Sequence, residues 1–252
     1  MNSIYKKVKD HYDQKTLFKA LVRKAKVPLY RLYNSTAWKY PVHYVDIKNI
    51  YKHGFMSPRY AEQIWVNPKK ISKVLAIDYV TELTGIEFMK HRNASAMVVE
   101  DWPSEHSDMI SSVDDLPEVR FCIDHWVNGI GWEDTGAYTH MLTMIQQLGS
   151  PFNGCLTYDD VLERYRKLDQ FFEAVKKESR LRPAVEVRRN NFRERGGVYV
   201  HVGPQGELFF GGGGRHRFTM SRILGFDIIP AQIGIVHRSA IPYVPKLRNR
   251  DN

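Results

Sequence analysis

Hydrophobic positions follow a clear helical period from Thr157 onward. The apolar side chains of this stretch recur three or four residues apart, at Val161, Leu162, Tyr165, Leu168, Phe172 and Val175. Thr157 and Asp160 have the spacing of a capping box, in which a hydroxyl and an acid accept hydrogen bonds from each other's backbone amides. The pattern predicts a helix that begins at Thr157 and ends near Glu178.

A different pattern follows this helix, with short apolar runs separated by glycine and proline. Such runs are typical of strands, and two runs joined by a short glycine-containing turn are typical of a hairpin. The predicted elements, in order, are a strand at 183–188, a strand at 198–202, a turn at 203–206, a strand at 207–210, a glycine run, a helix from 216 to 224 and a strand at 228–236.

The first 156 residues carry weaker signals of mostly helical character. These signals are a basic amphipathic helix at 3–25, a helix at 68–83 that opens with Pro68, a turn-rich stretch with three glycines at 126–137, and a helix at 138–148. We therefore expect an α+β chain, with a mainly helical region at 1–156 and a small α+β module at 157–252.

Composition places the chain among ordinary globular proteins. Its 252 residues are 43% apolar and 12% aromatic, which is enough for one large core or two small ones. No apolar run approaches the ~20 residues of a membrane span, and the first residues do not resemble a signal peptide, so we expect a cytoplasmic protein without a transmembrane segment. Cys122 and Cys155 form no CxxC pair and are expected to be core thiols.

Charge is distributed unevenly along the chain. Residues 1–75 carry 16 Lys and Arg against 4 Asp and Glu, residues 76–179 carry 8 against 19, and residues 180–252 carry 13 against 5. The basic ends either neutralise the acidic middle or bind a polyanion. The helix predicted at 3–25 leaves a similar choice, between peripheral contact with an anionic membrane and docking with its lysines in solvent.

The glycine run stands between a predicted strand and a predicted helix, where it has a physical use. It consists of Gly211, Gly212, Gly213 and Gly214. Without Cβ atoms the backbone can approach an anion closely, and the free amides at a helix start point at it. Arg215 and Arg217 flank His216 directly after the run. The stretch is not a Walker P-loop, because no Lys-Ser/Thr pair follows. It predicts a phosphate-binding loop.

The order and spacing of these motifs resemble the ParB/sulfiredoxin superfamily over about a third of the chain. The similar motifs are Arg182-Pro183-Ala184-Val185-Glu186-Val187, Val198-Tyr199-Val200, Gly206-Glu207-Leu208, Gly214-Arg215-His216-Arg217, Leu224-Gly225 and Ile229-Pro230. The box that begins at Gly214 is similar to the Gly-Cys-His-Arg box of sulfiredoxins, and ParB-type nucleotide switches have Gly-Glu-Arg-Arg there. The resemblance implies a nucleotide phosphate cradle, in a fold whose members include small-molecule kinases.

One departure from the family pattern limits what the resemblance implies. Arg215 stands where sulfiredoxins have their reactive cysteine and where ParB proteins have a glutamate near the metal of the nucleotide. Sulfinic-acid reduction is therefore not expected, and ParB-type hydrolysis of CTP is not carried over.

Two functional hypotheses follow. The first is an ATP-dependent phosphotransferase, or another enzyme that uses nucleotide phosphates with Mg²⁺, acting on a small-molecule acceptor. The loop and Arg217 would bind phosphate, Arg215 would neutralise developing charge, and His216 would orient an oxygen or move a proton. The candidates for a base or metal ligand are Glu133, Asp134, Glu186 and Glu207. The alternative is a nucleic-acid-binding protein without catalysis, which tracks the phosphate backbone with its basic ends.

Overall fold

The computed structural model describes residues 39–86, 93–188 and 191–250. The helix predicted at 3–25 lies outside these residues. Among the described residues two compact units are distinguished, one within residues 123–177 and one within residues 40–122 and 178–250. We call the first the helical unit and the second the sheet unit. This division differs from the boundary at residue 157 suggested by the sequence, because strands from both sides of that boundary join one sheet.

The described residues form eight α-helices and seven strands, which confirms the predicted α+β class. In chain order they are α1 (Lys39–His53), β1 (Gln63–Val66), β2 (Lys73–Leu75), α2 (Ile77–Thr84), β3 (Val98–Val99), β4 (Ile110–Ser112), α3 (Pro117–Trp126), α4 (Ala137–Leu148), α5 (Tyr158–Glu178), α6 (Ala184–Val187), β5 (Val198–Val202), β6 (Leu208–Phe210), α7 (Arg215–Ile223), β7 (Ile229–His237) and α8 (Val244–Arg248). Among these helices, none combines the length and apolar character needed to cross a bilayer.

The strands of the sheet unit form one mixed sheet in the order β1-β7-β5-β6-β2-β4, with β3 beside β7. β5 is buried at every position and β7 at every position except its last, His237. Strands with such continuous burial are covered on both faces, so β5 and β7 form the centre of the core. β5 and β6 are antiparallel, with Val200 opposite Phe210, which confirms the predicted hairpin.

The predicted strand at 183–188 is wrong. Residues Ala184–Val187 form the short helix α6, with Pro183 at its N-cap. The carboxylate of Glu194 accepts a hydrogen bond from the backbone amide of Ala184 at 2.7 Å, which satisfies a donor at the helix start. The alternation of valines resembled a strand, but the contact with Glu194 favours the helical turn.

The predicted helix at 68–83 is also interrupted. Pro68–Lys70 forms a 3₁₀ turn, β2 follows, and α2 covers the last part. The middle residues are drawn into the sheet, because Val74 pairs with Phe210 of β6 on one side and with Ser111 of β4 on the other. Sheet pairing across distant sequence overrides the local helical preference here.

Two hydrogen bonds at the start of α5, in the helical unit, confirm the predicted capping box. The amide of Asp160 donates to Oγ1 of Thr157 at 3.1 Å, and the amide of Thr157 donates to Oδ2 of Asp160 at 3.1 Å. α5 then presents Asp169 to two tryptophans, since its carboxylate accepts hydrogen bonds from the indole nitrogens of Trp126 and Trp132 at 3.0 Å. α4 begins one residue before the predicted 138–148.

Candidate phosphate-binding site

The glycine run lies between β6 and α7, as the sequence predicted. Two backbone hydrogen bonds with Tyr199 of β5 hold the loop. The amide of Gly211 donates to the carbonyl of Tyr199 at 2.8 Å, and the amide of Tyr199 donates to the carbonyl of Gly213 at 2.9 Å. The ends of the loop are therefore fixed to the central strands of the sheet.

The close approach of the loop to β5 requires glycine at two positions. Gly214 has a φ of +76°, and a Cβ there would lie 2.9 Å from the carbonyl oxygen of Gly197 and 2.9 Å from the Cα of Val198. A Cβ on Gly211 would lie 2.6 Å from the ring of Tyr199. Both contacts are shorter than side chains tolerate, so the run serves close packing as well as conformational freedom.

Three consecutive amides of the loop, those of Gly212, Gly213 and Gly214, have no hydrogen-bond acceptor among the described residues. The carbonyl of Gly214 accepts the first helical hydrogen bond, from the amide of Phe218 at 2.9 Å. The three amides therefore precede the N-terminus of α7, where the helix dipole is positive. This combination favours an anion such as phosphate.

Arg215 lies beside these amides. Its Nη2 would be 3.8 Å from a Cβ on Gly212, so the guanidinium is next to the loop. Its Nη1 donates a hydrogen bond to Oε1 of Glu118 in the first turn of α3. Its Nε is buried and has no partner among the described residues. Arg215 thus places a positive charge at the loop, and a carboxylate that the sequence did not single out is paired with it.

His216 contacts a cysteine of the same unit. Its Nδ1 lies 3.4 Å from the sulfur of Cys122 on α3. Cys122 is fully buried, as expected of a core thiol, but its contact with His216 was not foreseen. The two residues are separated by 94 positions, so no local pattern in the sequence indicated their proximity.

Arg217 points away from Arg215, because residues two apart on a helix diverge by about 200°. Its guanidinium donates a hydrogen bond to the backbone carbonyl of Arg182. Burial lowers the pKa of Arg217, and the nearby carboxylate of Glu194 opposes that shift. Burial in turn raises the pKa of Glu194. Arg217 therefore has a structural contact of its own, and its role in phosphate binding stays a prediction.

Each of the four carboxylates proposed from the sequence has contacts or surroundings within its own unit. Glu207 lies at the far end of β6, about 13 Å from Gly211 along the strand, and it accepts a hydrogen bond from the amide of Gln205. Glu186 forms an ion pair with Arg180 at 3.0 Å. Glu133 and Asp134 occupy an exposed turn of the helical unit, ahead of α4. Among the described residues of the sheet unit, Glu118 places a carboxylate beside the loop, through its bond to Arg215.

Within the described ranges, no three His, Cys, Asp or Glu side chains come together as a metal site. No protein-family model, no curated protein and no solved structure matches this chain. The assignment of the site therefore rests on its geometry.

Proposed function

We propose that the sheet unit binds the phosphate groups of a nucleotide at the glycine loop, and that the protein is a cytoplasmic nucleotide-dependent phosphotransferase. The proposal rests above all on the three amides of Gly212, Gly213 and Gly214, which lie at the start of α7 beside Arg215 and have no acceptor in the described part of the chain.

Phosphate suits this arrangement for electrostatic reasons. The aligned peptide dipoles of α7 are equivalent to about half a positive charge at its N-terminus, and the amides can donate several short hydrogen bonds to one phosphate group. Arg215 adds a full charge and a planar pair of donors. In this proposal the guanidinium of Arg215 exchanges its bond to Glu118 for a phosphate oxygen when nucleotide binds.

The same residues support phosphoryl transfer, which depends mainly on positioning and charge stabilisation. Arg215 neutralises charge on the transferred group, and His216 orients a phosphate oxygen or moves a proton. Glu118, once released from Arg215, accepts the proton of a hydroxyl on a small-molecule acceptor. ATP is the simplest phosphate donor. Mg²⁺ accompanies it as a counter-ion on the phosphates, since the described residues hold no cage of carboxylates for it.

Calorimetry with a nucleotide panel tests the binding step. We expect ATP or a related nucleotide to bind the full chain, and Arg215→Met to weaken binding by about tenfold or more, as loss of a charged hydrogen bond does. Arg222→Met is the matched control, because Arg222 lies on the same helix and also forms an ion pair, with Asp114 at 2.7 Å. Equal affinity in wild type and Arg215→Met would remove phosphate binding from the loop.

Turnover assays then distinguish the candidate carboxylates. Glu118→Gln is expected to abolish transfer without abolishing nucleotide binding, because a base acts on the chemical step. The paired change Glu133→Gln with Asp134→Asn tests the carboxylates that the sequence singled out. If that pair alone stops turnover, the base belongs to the helical unit.

The nucleic-acid hypothesis makes a different prediction for the same samples. A protein that tracks a phosphate backbone binds duplex DNA with an affinity that falls steeply as salt rises, while free mononucleotides bind weakly. DNA binding that survives Arg215→Met, together with no mononucleotide binding, would favour this alternative over the phosphotransferase.

A further inference from the structure

Helix α1 turns polar side chains toward the protein. Asp46 and Asn49 are both buried. The amide nitrogen of Asn49 donates to the backbone carbonyls of Pro58 and Ala96 at 2.8 Å, and Asp46 accepts a hydrogen bond from the amide of Tyr60 at 2.7 Å. Because each of these groups would be costly to bury unpaired, the hydrogen bonds fix the rotation of the helix about its axis.

The opposite side of the helix is apolar and faces outward. Tyr44, Ile47 and Tyr51 follow one another three or four residues apart, so they form one line along the helix, and Phe55 follows just past its end, after Gly54. Tyr51 is 90% exposed and Phe55 is 84% exposed, and the other two are about two-thirds exposed. We call these four residues the α1 stripe. At 1.5 Å per residue its helical part, from Tyr44 to Tyr51, is about 10 Å long.

This orientation is the reverse of what a helix packed on its own protein shows. Such a helix normally buries its apolar side and exposes its polar side. Contiguous exposed apolar surface marks a site of interaction with a protein or a membrane. The exposure of the α1 stripe is typical of an interaction surface, and the buried hydrogen bonds of Asp46 and Asn49 keep the helix from rotating the stripe inward.

The charge around the α1 stripe indicates an anionic partner. Lys48 and Lys52 are exposed and lie along one edge of the stripe. Residues 1–38, which join the helix directly, carry 9 Lys and Arg against 2 Asp and Glu. An apolar helix side combined with a polybasic segment is the pairing of two signals that gives stable attachment to anionic lipid. Tyrosine suits the bilayer boundary, because its ring is apolar and its hydroxyl polar.

We propose that α1 lies in the plane of an anionic lipid surface. The α1 stripe enters the boundary between headgroups and acyl chains, and Lys48 and Lys52 contact lipid phosphates. The attachment is peripheral. It is independent of nucleotide binding, because neither the glycine loop nor Arg215 takes part in it.

Flotation of the full chain with vesicles tests the proposal. We expect binding to phosphatidylcholine vesicles that contain about one-third phosphatidylserine, and little binding to phosphatidylcholine alone, since basic residues near the surface contribute about 1 kcal/mol each. The double variant Tyr51→Gln with Phe55→Gln should lower the partition coefficient by about tenfold or more, through lost apolar burial. Val187→Gln is the matched control, because Val187 is also exposed but lies on α6.

A fluorescent label locates the contact on α1 itself. Cys122 and Cys155 are buried, so a new cysteine at Ile47 can be labelled selectively in the folded protein. An environment-sensitive dye on Ile47→Cys should become brighter and shift to the blue with anionic vesicles, and the same dye on Val187→Cys should not change. A dye at position 47 that does not respond, despite vesicle binding, would assign the attachment to another part of the chain and overturn the proposal.

Association between copies of the chain is the competing outcome. If size-exclusion chromatography shows a dimer that Tyr51→Gln with Phe55→Gln converts to a monomer, and vesicles do not bind, the α1 stripe is a protein interface and the lipid proposal is wrong. Circular dichroism of each variant confirms that the fold is retained before these results are compared.

Discussion

The guanidinium of Arg215 donates a hydrogen bond to Oε1 of Glu118, a carboxylate 97 positions earlier in the chain. Both side chains are largely buried, so the interaction is screened less by water than an exposed pair. The pair holds a positive charge beside the three amides at the start of α7. It also makes Glu118 the first carboxylate to test at this site.

The first prediction concerns this pair. Glu118→Gln removes the negative charge that neutralises Arg215, so nucleotide affinity should rise by about threefold to tenfold, while turnover should fall by about 10²-fold or more if Glu118 is the base. Calorimetry and a transfer assay measure the two effects separately. Asp114→Asn, which removes the partner of Arg222, should leave both quantities unchanged. A loss of affinity in Glu118→Gln would mean that the carboxylate contributes to binding instead.

The second prediction separates two reasons for glycine at Gly214, which are its positive φ and its close approach to neighbouring backbone. Gly225, after α7, has the first property without the second and serves for comparison. Gly214 and Gly225 both have positive φ, +76° and +73°, but only Gly214 has backbone atoms where a Cβ would stand. Gly225→Ala should lower the free energy of unfolding by about 1–2 kcal/mol, from the left-handed conformation alone. Gly214→Ala should cost about 1–3 kcal/mol more, from overpacking against Gly197 and Val198. Urea denaturation measures both, and equal costs would contradict the close approach.

The third prediction follows from Glu194, which is fully buried. Burial raises its pKa above the ordinary value of 4.5, so the folded state retains a proton that the unfolded state has lost. Stability linked to this group is therefore fully present below about pH 4.5 and is lost as pH rises through the folded pKa. Glu194→Gln should flatten that loss, measured as the free energy of unfolding between pH 4 and 8.

A control of opposite sign is available on α5. Ion pairing with Arg166 and Lys167 lowers the pKa of Glu163 to about 2. Stability linked to Glu163 is present above its unfolded pKa of 4.5 and is lost as pH falls through the folded value of about 2. Glu163→Gln should therefore change the profile only below about pH 4.5, in measurements extended to about pH 2. Because Glu163 is exposed, its effect should be small. An unchanged profile in Glu194→Gln would contradict the burial argument for that residue.

The fourth prediction concerns the start of α5. Thr157→Ala removes the hydroxyl that accepts the amide of Asp160, and it should lower the free energy of unfolding by about 1 kcal/mol. Asp159→Ala, which removes a first-turn carboxylate from the same helix, should cost less, about 0.3–1 kcal/mol, through the helix dipole. Thermal or urea denaturation measures the difference. Equal costs would show that the reciprocal hydrogen bonds add little.

The elements predicted correctly from the sequence are those whose causes are local. The helix that begins after Thr157 is specified by its apolar period and by a cap four residues long. The β5–β6 hairpin and the glycine loop are specified by glycines at turns and by short apolar runs next to them. In each case the interacting residues are within a few positions of one another, so the sequence pattern contains the physical reason for the structure.

The remaining features depend on contacts between distant residues. Val74 became part of a strand because it pairs with Phe210, and residues 184–187 became helical beside Glu194. The packing of α3, a helix that carries no local mark of a site, brought Glu118 to Arg215 and Cys122 to His216. The outward direction of the α1 stripe was likewise decided by the buried hydrogen bonds of Asp46 and Asn49. The secondary structure, contacts and orientation of these residues depend on partners that are distant in sequence. The local pattern of hydrophobic and polar residues does not contain that information.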